Sequence, residues 1–399
     1  MRTTFVEKAC IGDLRLKRLF SERPWWMWLF PLLTIFFLVA IPLFVWDATN
    51  AILNSADGDY GEVVVDPSAP GYESYVLATP AHLSISVDEN GGLSMVAVMS
   101  LGPNDVGGAV LLLNPKTVIR DGETIASIFE DGGFDEVEKS LREFLSVGFT
   151  TRNLMTFTNW DAYTSSVSPL SIVLDDPLHE ESGTGELFSV VSTCCPYQGT
   201  YSIEASEVGA FLSWSDSADT GSLRYLRQGE FWQVWIEMLS SESEVTAIPG
   251  EVNAGFGRMI WGLSRGEMVL VQVPQDSTPE ATLVDKGLIQ NTILDMIPFP
   301  IPSSPEARTT VRLLDAVGGL NLAENYSSDL VKSGAQILII GNAPEFTGDS
   351  ELIYHNDEND EVVEGFRNAL GGGTIVYEPL TDAAFEVTII IGSDLASRN

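Results

Sequence analysis

Asp175, Asp176, His179, Glu180 and Glu181 fall within seven positions, a density of oxygen and imidazole ligands that a loop can fold around a divalent cation. The same run also reads as a solvated acidic loop, because the chain carries 56 acids against 21 bases. Arg224 and Arg227 lie three apart in LRYLRQGEFWQVWIEML (223–239), on one face of an expected helix. There they serve as surface ion pairs or as stems packed over the core. Trp232 and Trp235 on that helix either fill the core or form an aromatic shelf for stacking a sugar. With only His82, His179 and His355, a Ser-His or Cys-His nucleophile has no supporting pattern, and no G-x-S-x-G, H-E-x-x-H or P-loop occurs. GFGRMIWG (255–262) lacks the third glycine of a dinucleotide loop. The adjacent Cys194 and Cys195 read as a vicinal disulfide or as two thiols.

What must position these residues begins with a membrane anchor. Residues 25–46, WWMWLFPLLTIFFLVAIPLFVW, carry no charge over 22 positions and are flanked by tryptophan, as expected of a helix crossing a bilayer. Pro31 and Pro42 kink such a helix without ending it. The preceding basic tail, 1–24, has six bases against three acids and is expected in the cytoplasm. Everything beyond is then extracytoplasmic on a cell membrane. The apolar run is too long for the core of a cleaved signal peptide. Beyond residue 24 remain 15 bases and 53 acids, a net charge near −38 that repels nucleic acid and anionic lipid.

Residues 47–78 read as a stalk. Between 79 and 294, HLSISV, LSMVAVMSL and AVLLLN are punctuated by ENGG and GPNDVGG, as strands with tight turns are. Helices are expected over 132–149, where Phe134, Val137, Leu141, Phe144 and Leu145 share a face, and over 223–239. Further strands are expected at 154–157, 170–174 and 268–273. DMIPFPIPSSPEA (295–307) reads as a proline-rich interdomain linker. Residues 308–399 alternate again, with strands at 311–314, 337–340, 374–377 and 386–391 and helices at 320–332 and 361–370. The fold class expected is α/β, with a transmembrane helix, a larger mixed-sheet domain and a small C-terminal α/β domain.

VRLLDAVGGLNLA (311–323), ILIIGNAPEF (337–346) and VTIIIGSD (387–394) resemble the opening strand and turn, second strand and closing strand of the LytR C-terminal domain. Asp315-Ala316 stands where that family has Asn-Gly. GGAVLLLNPKTVI (107–119), GGFDEVEKSLREFLSVGF (132–149), NWDAYTSSVSPLSIVLDDP (159–177) and DTGSLRYLRQGEFWQVWIEML (219–239) follow the order of a LytR-CpsA-Psr (LCP) domain. The resemblance implies a relative of the enzymes that move a glycopolymer from a polyprenyl-pyrophosphate carrier to the cell wall. Such a transfer needs guanidinium forks on two phosphates and Mg²⁺ on carboxylates.

Read onto the family pattern, the first arginine is Lys116, the Arg-x-Arg strand falls on FLSWSD (211–216) with neutral Ser213 and Ser215, and the metal aspartate falls near Gly92 or Leu93. Arg224, with Arg227 and Gln228 behind it, is in place. The phosphate candidates are therefore Arg224, Arg227 and Lys116, and the metal candidates Asp175 and Asp176. No catalytic residue is assigned. The expectation is a degenerate, non-catalytic domain that binds or scaffolds in cell wall assembly, with no cofactor. Its partners are the bilayer, through one helix, and a wall glycopolymer or polyprenyl-phosphate lipid. The alternative is an active phosphotransferase using Mg²⁺, with Arg258 or Arg265 supplying the missing charge.

Overall fold

The computed structural model describes Leu38 and residues 64–396, apart from 176–177, 179–188, 196–197, 216–220, 243, 357–358 and 381–382. The chain divides into two compact units, 1–63 and 64–399. The span expected at 25–46 lies, except for helical Leu38, outside the described residues. Among those described, no helix is long and apolar enough to cross a membrane.

Two mixed sheets organise the second unit. The first has five strands: β2 (Ala81–Val87), β3 (Leu93–Leu101), β4 (Gly108–Leu113), β5 (Thr151–Met155) and β9 (Met268–Val271), in the order β9-β4-β3-β2-β5. β4-β3-β2 is an antiparallel meander, and β9 and β5 add in parallel at its two edges. The strands of the meander are buried on both faces: the β3 and β4 runs are nearly continuous in apolar residues, whereas β2 alternates Leu83, Ile85 and Val87 with buried His82, Ser84 and Ser86. A three-stranded antiparallel sheet, β6 (Leu170–Leu174), β7 (Ser189–Cys195) and β8 (Gln198–Ile203), packs nearby through β6 on the long helix.

One face of the five-stranded sheet is covered by α1 (Ile125–Leu145) and α6 (Lys286–Met296). α1 starts in a Thr124–Ser127 capping box and breaks at Gly133 (φ 68°). From there Val137, Leu141 and Leu145 point into the core. The other face carries α2 (Phe157–Thr164), α3 (Val208–Ser213), α4 (Ser222–Ser241) and α5 (Gly255–Ser264).

The second sheet has the order β1-β11-β10-β14-β12-β13, from β1 (Glu73–Tyr75), β10 (Thr309–Asp315), β11 (Ala335–Asn342), β12 (Glu351–Tyr354), β13 (Thr374–Tyr377) and β14 (Val387–Ile391). The helix expected at 320–332 is two short ones, α7 (Leu322–Asn325) and α8 (Ser327–Lys332), broken at Tyr326 (φ −129°). α9 (Asp360–Leu370) follows the predicted helix closely.

Two segments depart from their expected character. From Val64 onward the stalk sequence belongs to the second unit, and Glu73–Tyr75 pairs antiparallel with Gly341–Ile339. The proline-rich linker is docked. Ile297 is fully buried, the Phe299 and Thr79 backbones are bonded (2.8 Å), and the Gly148 amide donates to Ile301 (2.7 Å). One apolar core accordingly runs from Leu83 and Leu141 through Ile293 to Val311 and Val387.

Candidate functional site

α4 carries the arginine pair, and its start is set by contact with the turn after β4. Gly221 (φ 90°) precedes the helix, and a β-carbon on it would lie 2.6 Å from the Asn114 amide nitrogen. Buried Asn114 accepts from the Lys116 amide (3.0 Å) and donates to the Thr282 hydroxyl (3.1 Å). The Lys116 turn and the start of α4 are therefore neighbours. Lys116 Nζ donates to the Pro279 carbonyl (2.8 Å), tying the turn to the 275–284 hairpin.

Arg227 points inward. It is 4% exposed; its Nε donates to the Phe211 carbonyl (3.0 Å) and its Nη2 to the Trp214 carbonyl. The rings of Phe211 and Trp214 stand 5.6 and 5.3 Å from the guanidinium carbon. Gln228 Nε2 donates to Ser94 (3.0 Å) and Leu212 (2.8 Å). The Arg-x-x-Arg-Gln pattern thus fastens α4 to α3 and β3. A guanidinium whose donors are held by buried carbonyls is not presented to a phosphate.

The segment aligned with the family's Arg-x-Arg strand is helical through Ser213, whose hydroxyl turns back to Ala210 (3.3 Å), and Ser215 is exposed. Leu93, near the expected metal aspartate, is 8% exposed and opens β3. Asp175 is exposed at the end of β6, while Asp176, His179, Glu180 and Glu181 lie outside the described residues. Among the described residues no three His, Cys, Asp or Glu side chains gather to hold a metal.

The reserve arginines are also engaged. Arg258 forks onto Asp105 (2.8 and 2.8 Å), whose carboxylate raises the guanidinium pKa further. Arg265 Nη2 donates to the Leu239 and Glu242 carbonyls (2.7 Å each) and lies 4.1 Å from the Trp261 ring centroid. It caps the C-terminal end of α4.

Beneath α4 the space is filled. Trp160, Phe231, Trp232 and Trp235 are at most 1% exposed, with centroids 5.3–6.5 Å apart. Trp232 and Trp235 are core residues and form no sugar shelf. Their floor is the polar row His82, Ser84 and Ser86 on β2, where Ser86 Oγ accepts from Trp160 Nε1 (3.3 Å). His82 bonds Thr151 Oγ1 (2.7 Å) and Asn153 Oδ1 (2.8 Å), and burial pulls its pKa down to about 4 against the Asn153 bond. The alternation in HLSISV was the signal for this row.

Residues 308–395 match the family model described as LytR cell envelope-related transcriptional attenuator. A comparison with curated proteins finds no match. Among solved structures, TagV from B. subtilis is 13% identical over 55% of this chain and 97% of its own, at a TM-score of 0.41. TagT from B. subtilis is 13% identical over 60% and 96%, at 0.40. TagT is a LytR-CPS2A-psr family protein and has also been solved with octaprenyl pyrophosphate lipid. A transcriptional regulator from Enterococcus faecalis is 13% identical over 55% and 87%, at 0.39. At such overlap no geometry is carried across. The similarity to a known family lies in the C-terminal lobe, where residues 308–395 match the LytR cell envelope-related model.

Proposed function

We propose that this chain is a membrane-anchored, extracytoplasmic cell-envelope protein related to the LCP wall-glycopolymer transferases, and that it binds or scaffolds in wall assembly without transferring polymer. The observation that carries this reading is the state of its cations. Arg227, Arg258 and Arg265 are committed to internal carbonyls and a carboxylate. A diphosphate needs several convergent charge-assisted bonds, each worth about 1.5–3 kcal/mol, and Lys116 and Arg224 alone supply too few. The LytR-type domain and the element order before it support the envelope setting. The charge-free 25–46 run supports the anchor.

The reading is tested by incubating the full-length chain, in detergent, with purified wall glycopolymer and with polyprenyl-pyrophosphate-linked glycan, then measuring retention. Retention of the polymer without release of polyprenyl monophosphate is expected. Release of polyprenyl monophosphate, with the glycan appearing on the wall through a phosphodiester, would restore the phosphotransferase, which the closeness of the Lys116 turn to the start of α4 favours.

A further inference from the structure

The C-terminal sheet borrows a strand. The span matched by the LytR family model starts at residue 308, yet the sheet's edge strand β1 comes from residues 73–75, before the whole central lobe. Without β1 the outer edge of β11 would be open, with unpaired amides and carbonyls.

The attachment is made by main chain. Ser74 pairs with Ile340, the Val76 amide donates to Leu338 (2.9 Å), the Gly71 amide to Ala343 (3.1 Å) and the Asn342 amide to Tyr72 (2.7 Å). Asn342 Nδ2 also donates to the Pro67 and Ala69 carbonyls (2.9 and 2.8 Å). Gly341 permits the approach, since a β-carbon there would sit 2.1 Å from the Tyr72 carbonyl oxygen. Arg312 pairs with Glu73. Of the side chains, Val76 packs on the apolar core and the rest contribute less. Tyr75 and Leu77 are 81% and 86% exposed, and Tyr72, Ser74 and Val76 rim a cavity of about 370 Å³, shared with Phe299 and Leu320, without filling it.

We propose that the β11 edge is a strand-accepting surface, occupied in cis by residues 71–76 and open to the same strand of a second copy once the cis strand is released. Backbone-held, poorly packed edge strands open at low cost, and strand addition reads main chain with a few side-chain checks, here Arg312 for an acid and Asn342 for two carbonyls. Tethering gives the cis strand a high effective concentration, so the trans strand binds only when the cis strand is weakened. This holds whether or not the chain transfers polymer.

The test titrates a fluorescein-labelled peptide of residues 64–79 against the full-length chain in detergent, read by anisotropy. Ser74→Pro in the chain removes an amide from the middle of β1 and should tighten peptide binding roughly ten-fold or more over wild type. The same proline in the peptide, or Gly341→Val added to the chain, should abolish it. A folded S74P chain that binds no better than wild type, or equal binding of the proline peptide, overturns the proposal. Should the S74P chain not fold, amide exchange on wild type decides. The amides of Gly71 and Val76 should exchange well before those of β10 and β14, and exchange only by global unfolding refutes a detachable strand.

Discussion

The layer under α4 and the edge of the C-terminal sheet are opposites. Under α4, where the resemblance places one of its arginines, the side chains are buried: four aromatic side chains are at most 1% exposed, and Arg227 and Gln228 bond the neighbouring backbone. Where nothing in the sequence announced chemistry, a strand is held by main chain over a cavity of about 370 Å³. A shared motif therefore reports where side chains sit, and only their partners report whether they are available to a ligand.

If the α4 layer is a core, Trp235→Ala should be the most costly change, losing about 3–5 kcal/mol in denaturant unfolding. Trp235 is fully buried and stacks on Phe231 at 5.5 Å. Tyr75→Ala at the strand edge should stay within about 0.5 kcal/mol. Near-equal losses at the two sites would erase the contrast between them.

The polar row beneath the tryptophans adds a pH dependence. His82 is held neutral, with its folded pKa at about 4 against an ordinary 6.5. Its contribution is full above pH 6.5 and is lost as pH falls from there through about 4, because the unfolded chain binds the proton first. The full effect is of order 3 kcal/mol, and His82→Gln should flatten the profile across that window. An unchanged acid limb in the variant would place the sensitivity elsewhere.

Asp315 sharpens the comparison from the other lobe. It is buried, accepting from the Val317 and Gly318 amides through one oxygen (2.7 and 2.9 Å) and from Leu320 through the other (2.7 Å). Asp315→Asn restores the family residue but sets an NH₂ against the Leu320 amide or forfeits the other pair. A loss of about 1–3 kcal/mol is expected by calorimetry, and a neutral outcome would mean the turn is held by its glycines. The smallest effect should come from Arg367→Ala, since its pair with Glu364 is nearly half exposed on both sides. A change of at most about 0.5 kcal/mol, shrinking as salt is added, is expected there.

Much of this fold is legible in the residues. The β2-β3-β4 meander follows from three apolar runs separated by glycine turns, and α9 from its spacing and the glycines after Leu370. α6 carries its own signals, since Asp285 caps it by accepting from the Leu288 amide (2.7 Å) and Ile289 and Ile293 share its buried face, although a proline cluster follows it directly. β1 is different in kind. Its side chains are exposed, so no apolar pattern marks it, and its partner lies more than 250 positions away. The linker misleads for a related reason, because prolines that stiffen a free spacer also suit a docked one. Of the candidate site, the segments that carry the resemblance meet where Gly221, at the start of α4, lies against Asn114. The burial of Arg227 was not legible in the motif, because it depends on where α3 ends and on the carbonyls that Phe211 and Trp214 leave there.

The central claim, that the α4 region holds no transferase, is tested most directly by turnover. The full-length chain in detergent is given a polyprenyl-pyrophosphate-linked glycan and a wall acceptor, with Mg²⁺ or Mn²⁺, beside Arg224→Ala and Lys116→Ala variants. The account predicts no transfer by any of the three. Transfer by the wild-type chain that disappears in either variant would contradict it and make these two residues part of a working site.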